Sequence, residues 1–192
     1  MQRIVDFILE VDKLKSVTRK TRPLGLDRYE NSAEHSWQLA LFAISIGRFA
    51  GPAIDISRVI KMLLVHDIGE IDTGDTMVYV DEGREERKAA ELRAVARIFG
   101  MLPDGPAEEF LSLWREFDDG NTSEAHFAHA IDRAMPILLN LANNGQSWRD
   151  NGISYDRVVR RNEPPIRAGC PPLWEYLEAH LEEASRKGWF GA

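Results

Sequence analysis

SRVIKMLLVHDIGE, residues 57–70, decides the fold. Ile60, Met62, Leu63, Leu64 and Val65 make it the most apolar helical segment of the chain, so a helix from Ser57 to about Gly69 is expected to be central and buried. It closes on His66, Asp67 and Glu70. Polar groups at the end of a buried helix must be paired or bound to a metal, because burying a bare charge is costly. On a helix His66 and Asp67 point about 100° apart, so they can grip one ion from two sides. Glu70 lies four residues after His66 and three after Asp67, on the surface they share. A carboxylate placed there is suited to take a proton from an attacking water.

Helical periodicity continues on both sides. Ile4, Val5, Ile8, Val11 and Leu14 form one stripe, predicting a first helix over residues 2–14. A basic stretch follows, with Lys15, Arg19, Lys20, Arg22 and Arg28 interrupted by Pro23 and Gly25, and reads as a loop. Asn31 and Glu34 form a capping signal for the next helix, which runs to about Ala50. Residues 71–81 read as a loop holding at most one short turn. Residues 82–99 read as a helix ended by Gly100. Pro106 suits the first turn of another, which stops at Asp118-Asp119-Gly120. Asn121 and Glu124 make a second capping signal, for a helix ending near Gly145. A short helix over 154–161, a polar Pro-rich run over 163–172 and a last helix over 171–187 complete an all-α chain.

Two further positions join the central motif. His35 lies in the first turn of the second helix, and Asp132 lies inside the helix that follows Asn121. Taken singly, each has an ordinary reading as a cap, a surface group or a salt-bridge partner. Taken together, two imidazoles and two carboxylates form a mixed nitrogen and oxygen shell that suits zinc, manganese, cobalt, nickel or iron better than calcium. Pro136, four residues after Asp132, removes the N–H that would bond the Asp132 carbonyl and crowds it with its ring. Strain tolerated one turn from a candidate ligand is a secondary pointer to function.

Composition narrows the class. At 192 residues the chain fits one domain, with a core over about 1–150 and C-terminal helices packed on it over 151–192. Such a chain buries roughly 70% of its unfolded surface and needs no disulfide staples. A net charge of −7 repels a phosphate backbone at long range, which argues against nucleic acid as a partner. Cys170 stands alone and reads as an ordinary thiol in a reducing compartment. The first residues resemble no signal or transit peptide, and no apolar run reaches the ~20 residues that span a bilayer. A soluble cytoplasmic protein, with no membrane partner, is expected. No nucleophile elbow and no Walker-type loop is present.

As a set, the motifs resemble the HD superfamily of metal-dependent phosphohydrolases, and within it the bacterial 5'-deoxynucleotidases and the HD domain-containing protein 2 relatives. The residues that carry this are Glu30-Asn31-Ser32-Ala33-Glu34-His35-Ser36, His66-Asp67-Ile68-Gly69-Glu70 with Thr73-Gly74-Asp75, and Ala130-Ile131-Asp132-Arg133. The resemblance implies a helical bundle around a single divalent ion (Mn, Co, Ni, Zn, Fe or Mg). By position it makes His35, His66, Asp67 and Asp132 the metal ligands. Glu70 becomes the carboxylate that activates water, Asp75 a group that holds the sugar and the attacking water, and Arg19 a phosphate contact. Arg22 and Arg28 are spare candidates for that contact. Lys20 departs from the pattern, which has tryptophan there, so the sugar and base preference stays open. His126 and His129 read as helix-surface histidines rather than ligands of a second ion. The implied substrate is a nucleoside 5'-monophosphate, cleaved to nucleoside and phosphate. A phosphodiesterase or pyrophosphohydrolase acting on a signalling nucleotide, and a metal-bound sensor without turnover, are the competing readings. Leu173, Leu177 and Leu181 give the last helix an apolar face, which either covers the core or forms a homodimer contact. The five tryptophans at 37, 114, 148, 174 and 189 read as core and interface anchors.

Overall fold

A computed structural model describes residues 1–80 and 82–191; Asp81, in the expected 71–81 loop, and the terminal Ala192 lie outside the described residues. Among the described residues the chain is all-α, and its only strand-like feature is a single antiparallel bridge between Thr18 and Asn31. Helix α1 spans Gln2–Val11 and tightens into a 3-10 turn over Asp12–Ser16. The expected stripe is split: Leu14 is buried and Val11 packs on the core, but Ile4, Val5 and Ile8 are exposed. Phe7 anchors the helix instead, packed on Phe99 and Phe110 at ring separations of 6.5 and 5.9 Å. An aromatic ring buries more area than the aliphatic side chains it displaces, and it sets the helix rotation.

The basic segment is an ordered hairpin-like loop. Arg19 N–H donates to the Glu30 carbonyl at 3.0 Å, Glu30 N–H to Thr21 at 2.9 Å and Ser32 N–H to Val17 at 3.1 Å. These bonds bring the two ends of the loop together and set Arg19 beside Glu30. Helix α2, Ser32–Ile46, opens on the expected capping box. The Asn31 side chain accepts from Glu34 N–H at 2.9 Å, and the Glu34 carboxylate accepts from Asn31 N–H at 3.2 Å. Such a box satisfies two otherwise orphaned backbone donors.

Helix α3, Ile56–Val65, is buried as expected, with Val59, Met62 and Leu63 fully enclosed. It ends four residues earlier than its pattern implies. Trp114 Nε1 donates to the His66 carbonyl at 3.0 Å, and Glu70 N–H turns to the Asp67 carbonyl at 3.0 Å. A tight turn therefore carries His66 and Asp67, and Glu70 opens the four-residue helix α4, Glu70–Thr73. Gly74 follows at φ 75°, a conformation that favours glycine, and redirects the chain so that Asp75 enters the interior.

Helices α5 (Arg84–Phe99) and α6 (Asp104–Asp119) come next. Helix α7 spans Ser123–Ala142 and is capped by Thr122 Oγ1, which accepts from Ala125 N–H at 3.1 Å. Asn121 is not the cap, and Glu124 instead accepts from Asp55 N–H at the start of α3. Helix α7 runs on through Pro136. After the short α8 (Gln146–Asp150), α9 spans Tyr155–Gly169 and α10 Pro171–Arg186.

Helix α9 is nearly twice its expected length, because it continues through Pro164 and Pro165 in what reads as a Pro-rich loop. Close packing along α7 holds it. A Cβ placed on Gly169 would lie 2.0 Å from the His126 carbonyl oxygen, so only glycine allows the two helices this approach. Cys170 is buried between α9 and α10. Helix α10 buries Trp174, Leu177 and Leu181 in the core, so its apolar face covers the bundle rather than forming a free surface. The buried apolar residues form a core that runs from Phe7 to Ala184.

Candidate metal centre

Three ligand atoms converge where α2, α3 and α7 meet. One atom each from His35, His66 and Asp132 lies within 4.8 Å of the others. His35 Nε2 is 3.0 Å from Asp132 Oδ1, and His66 Nε2 is 3.7 Å from the same oxygen. Asp67 lies outside that tightest group but against it, with Oδ1 3.0 Å from His66 Nε2. The four residues that the sequence pattern selects therefore share one corner of the fold. They reach it from the first turn of α2, the turn after α3 and the middle of α7.

The donor set fits a divalent cation. His66 Nδ1 faces the Leu63 carbonyl at 2.9 Å, which fixes that nitrogen as the N–H donor and leaves the Nε2 lone pair facing the carboxylates. Although Asp67 Oδ1 is only 3.0 Å away, His66 Nε2 is buried without a properly directed hydrogen bond. A lone pair facing carboxylates is repulsive unless positive charge sits between them. Burial alone would lower the His66 pKa, but Asp67 and Asp132 push it up to about 10. The pocket thus demands a cation at Nε2, either a proton or a metal. His35 is wholly buried, and burial together with the Arg19 charge pulls its pKa down to about 4, against the pull of Asp132. It stays neutral and has a lone pair to offer. The Asp132 carboxylate resists the effect of burial and is held well below its usual range by His35 and His66.

Glu70, Asp75 and Arg19 line the same cavity of about 310 Å³, together with His66, Asp67 and Asp132. Ser32 Oγ donates to Glu70 Oε2 at 2.6 Å. Burial, then the charges of Asp67 and Asp75, raise the Glu70 pKa to about 9, opposed by Arg19. Arg19 is itself gripped by carboxylates, with Nη1 3.1 Å from Asp67 Oδ2 and 3.5 Å from Asp75 Oδ1, and Nε 3.3 Å from Glu30 Oε1. Burial would weaken its charge, but Asp67 and Asp75 keep it fully protonated.

The other basic candidates are used elsewhere. Arg28 pairs with Glu34 at 2.6 Å, and Arg22 with Asp27 at 2.7 Å, lying over the Tyr29 ring. Lys20 stands at the cavity wall, 5.6 Å from the centre of the same ring. His126 is exposed. His129 is not a surface group: it stacks on Phe117 at 4.3 Å, bonds the Phe117 carbonyl at 2.7 Å and lines the cavity. Among the described residues neither histidine joins a cluster able to hold a metal. Of the tryptophans, Trp114, Trp148 and Trp174 are core anchors, whereas Trp37 on α2 is 62% exposed.

Sequence reasoning missed Glu30 and Ser32, which flank the capping residue Asn31. Glu30 is buried with Oε1 3.9 Å from His35 Nδ1, and burial raises its pKa to about 7 against the pull of Arg19. Their position in the capping motif was the available signal. Only the hairpin closure shows that they face the site.

A family model described as an HD domain matches residues 11–174. A 5'-deoxynucleotidase from Dictyostelium discoideum is 28% identical over 144 residues, spanning 72% of this chain and 76% of that protein. A 5'-deoxynucleotidase from Shewanella oneidensis is 34% identical over 158 residues, spanning 78% of each. Among solved structures, one from Magnetospirillum magnetotacticum, described as a predicted metal-dependent phosphohydrolase, superposes with a TM-score of 0.92 at 38% identity, covering 100% of this chain and 98% of that one. A Pyrococcus horikoshii protein shares the fold, with a TM-score of 0.64 at 24% identity over 95% of this chain and 98% of that one.

Proposed function

We propose, from the premise that this chain belongs to the HD domain family, that it is a metal-dependent phosphohydrolase that cleaves (deoxy)nucleoside 5'-monophosphates to nucleoside and inorganic phosphate. The observation that carries the reading is the meeting of His35, His66 and Asp132 beside a cavity that also holds Asp67, Glu70 and Asp75. His35, His66, Asp67 and Asp132 would hold one divalent ion. When bound, such an ion makes water more acidic and polarises a phosphoryl oxygen.

The other roles follow from this chain's own groups. Glu70 moves the proton. Its Oε2 is fixed by the Ser32 hydroxyl, which leaves Oε1 to accept a proton from the attacking water and pass it to the leaving sugar oxygen. Asp75, set inward by the Gly74 turn, is placed to orient the water and the sugar. Arg19 carries positive charge into a cluster of carboxylates and is the candidate phosphate contact named by the motif. The cavity walls withdraw the reacting groups from bulk water, which strengthens each of these interactions.

A cytoplasmic location is part of the proposal, supported by the single buried cysteine. No helix among the described residues is long and apolar enough to cross a membrane. We also propose a homodimer. We place its contact on α2, where Trp37, Leu41 and Ile44 stand exposed at helical spacing on one face, and two-fold pairing would bring that face against its own copy.

The deciding experiment measures phosphate release from ribo- and deoxyribonucleoside monophosphates by metal-stripped protein reloaded with Mn²⁺, Co²⁺, Ni²⁺, Zn²⁺ or Mg²⁺. Asp132→Ala is expected to lose both bound metal and activity. Glu70→Gln is expected to keep the metal and lose about 10²-fold or more in kcat. No release from any monophosphate by metal-loaded protein would sink the nucleotidase reading and direct attention to cyclic or diphosphate substrates, or to a sensor.

A further inference from the structure

Arg133 follows Asp132 on α7 and lines the same cavity as Asp67, Glu70 and Asp75. Its bonding is unusual for a guanidinium in such a place. Its Nε is buried without a hydrogen-bond partner, and its one ion pair among the described residues is a loose 3.7 Å approach to Asp132 Oδ2. The other Asp132 oxygen is committed to His35. Arg19 and Arg22 also lack a hydrogen bond at Nε, yet each bonds a carboxylate firmly through Nη1, at 3.1 and 2.7 Å, and Arg19 Nε has Glu30 Oε1 at 3.3 Å. Arg133 has no such bond. Its side chain is 27% exposed, so the terminal N–H groups stay open to a ligand, while the buried Nε without an acceptor is costly.

The surrounding charge points the same way. Arg161 and Arg84 place like charge near Arg133. Arg84 lines the cavity too. The corner of the cavity where His35, His66 and Asp132 meet is suited to a metal ion, while Arg133 shares the cavity lining with a second arginine, Arg84. Arg19 is held by Glu30, Asp67 and Asp75, so engaging a phosphate there requires it to leave carboxylates it already bonds. Among the described residues Arg133 has only the loose 3.7 Å approach to Asp132 to give up.

We infer that Arg133 is a substrate-binding residue whose guanidinium takes phosphate oxygens of the nucleotide in the cavity that Arg19 also lines. The planar fork of an arginine fits two oxygens of one phosphate, a geometry lysine does not reproduce. The inference rests on the phosphohydrolase reading for the identity of the ligand. Its test does not depend on turnover.

The test is calorimetric titration of inorganic phosphate into metal-loaded wild type, Arg133→Gln and Arg133→Lys, with metal content and circular dichroism measured on each. Arg133→Gln is expected to keep its metal and helicity while binding phosphate about tenfold or more weakly, with Arg133→Lys recovering part of the loss. In turnover, KM should rise more than kcat falls. Equal phosphate affinity in wild type and Arg133→Gln overturns the inference, as does wild type that binds no phosphate. Loss of metal in Arg133→Gln also overturns it, since Arg133 would then act by positioning Asp132. Wild type that binds phosphate through Arg133 but hydrolyses no monophosphate supports the inference and refutes the nucleotidase reading instead.

Discussion

Ser32 and Glu70 are joined by one short hydrogen bond, and their roles differ accordingly. The hydroxyl donates at 2.6 Å to an oxygen of a carboxyl whose pKa burial and nearby acids raise to about 9, before the opposing charge of a bound cation is added. A bond to the carboxylate favours its ionised form, so Ser32 helps Glu70 act as a base at neutral pH. Ser32→Ala is expected to reduce kcat about tenfold, move the acidic limb of the pH–rate profile to higher pH and leave metal content unchanged. An unchanged pH profile would reduce Ser32 to a packing residue. At the same scale, the neutral imidazole of His35 and the Nε2 lone pair of His66 show why two histidines serve here. Each is deprotonated, or made to need a cation, by neighbours that belong to the site.

The elements hold these groups by ending or approaching in particular ways. Helix α3 stops at Val65 because the Trp114 indole takes the His66 carbonyl, and the resulting turn presents His66 and Asp67 together. Helix α7 contributes Asp132 and is clamped by α9, which approaches so closely that Gly169 has no room for a side chain. Gly169→Ala must push the helices apart and is expected to destabilise the fold by about 1–3 kcal/mol, seen as a lower Tm by circular dichroism. The shift should be accompanied by weaker metal binding if α7 is displaced. An unchanged Tm would mean that α9 is free to move and does not clamp the site.

For the whole molecule, the core takes up the apolar face of α10 and the Leu39–Ala43 side of α2, and leaves a second apolar stripe of α2 exposed. Trp37 at 62% and Ile44 at 59% exposure are large side chains in water, and aromatic residues are enriched at protein interfaces. Ile44→Glu is expected to convert a dimer to a folded, metal-binding monomer in sedimentation or light scattering. A wild type that is monomeric at tens of micromolar would remove the proposal. The acidic surface implied by the net charge of −7 coexists with a mixed interior, and only the cavity brings arginines from α5, α7 and the basic loop to face carboxylates.

The helical class, the capping box at Asn31 and the buried helix before His66 were legible in the sequence, as was the choice of His35, His66, Asp67, Asp132 and Glu70 as candidates that the fold brings to one corner, with Asp75 added by the family resemblance. Periodicity, capping and ligand chemistry are local properties, repeated within a few residues. The rotation of α1 onto Phe7, the passage of α9 through Pro164 and Pro165 and the inward turn of His129 were not legible, because each results from competition between distant surfaces for the same core. The same holds for Glu30, Ser32 and Arg133. Their roles depend on which side chains lack partners once the chain has closed, and an orphaned donor is defined only by the residues that fail to reach it. Tertiary packing decides this, because it withdraws these groups from water, and only then does an unpaired charge carry a cost that a ligand can relieve.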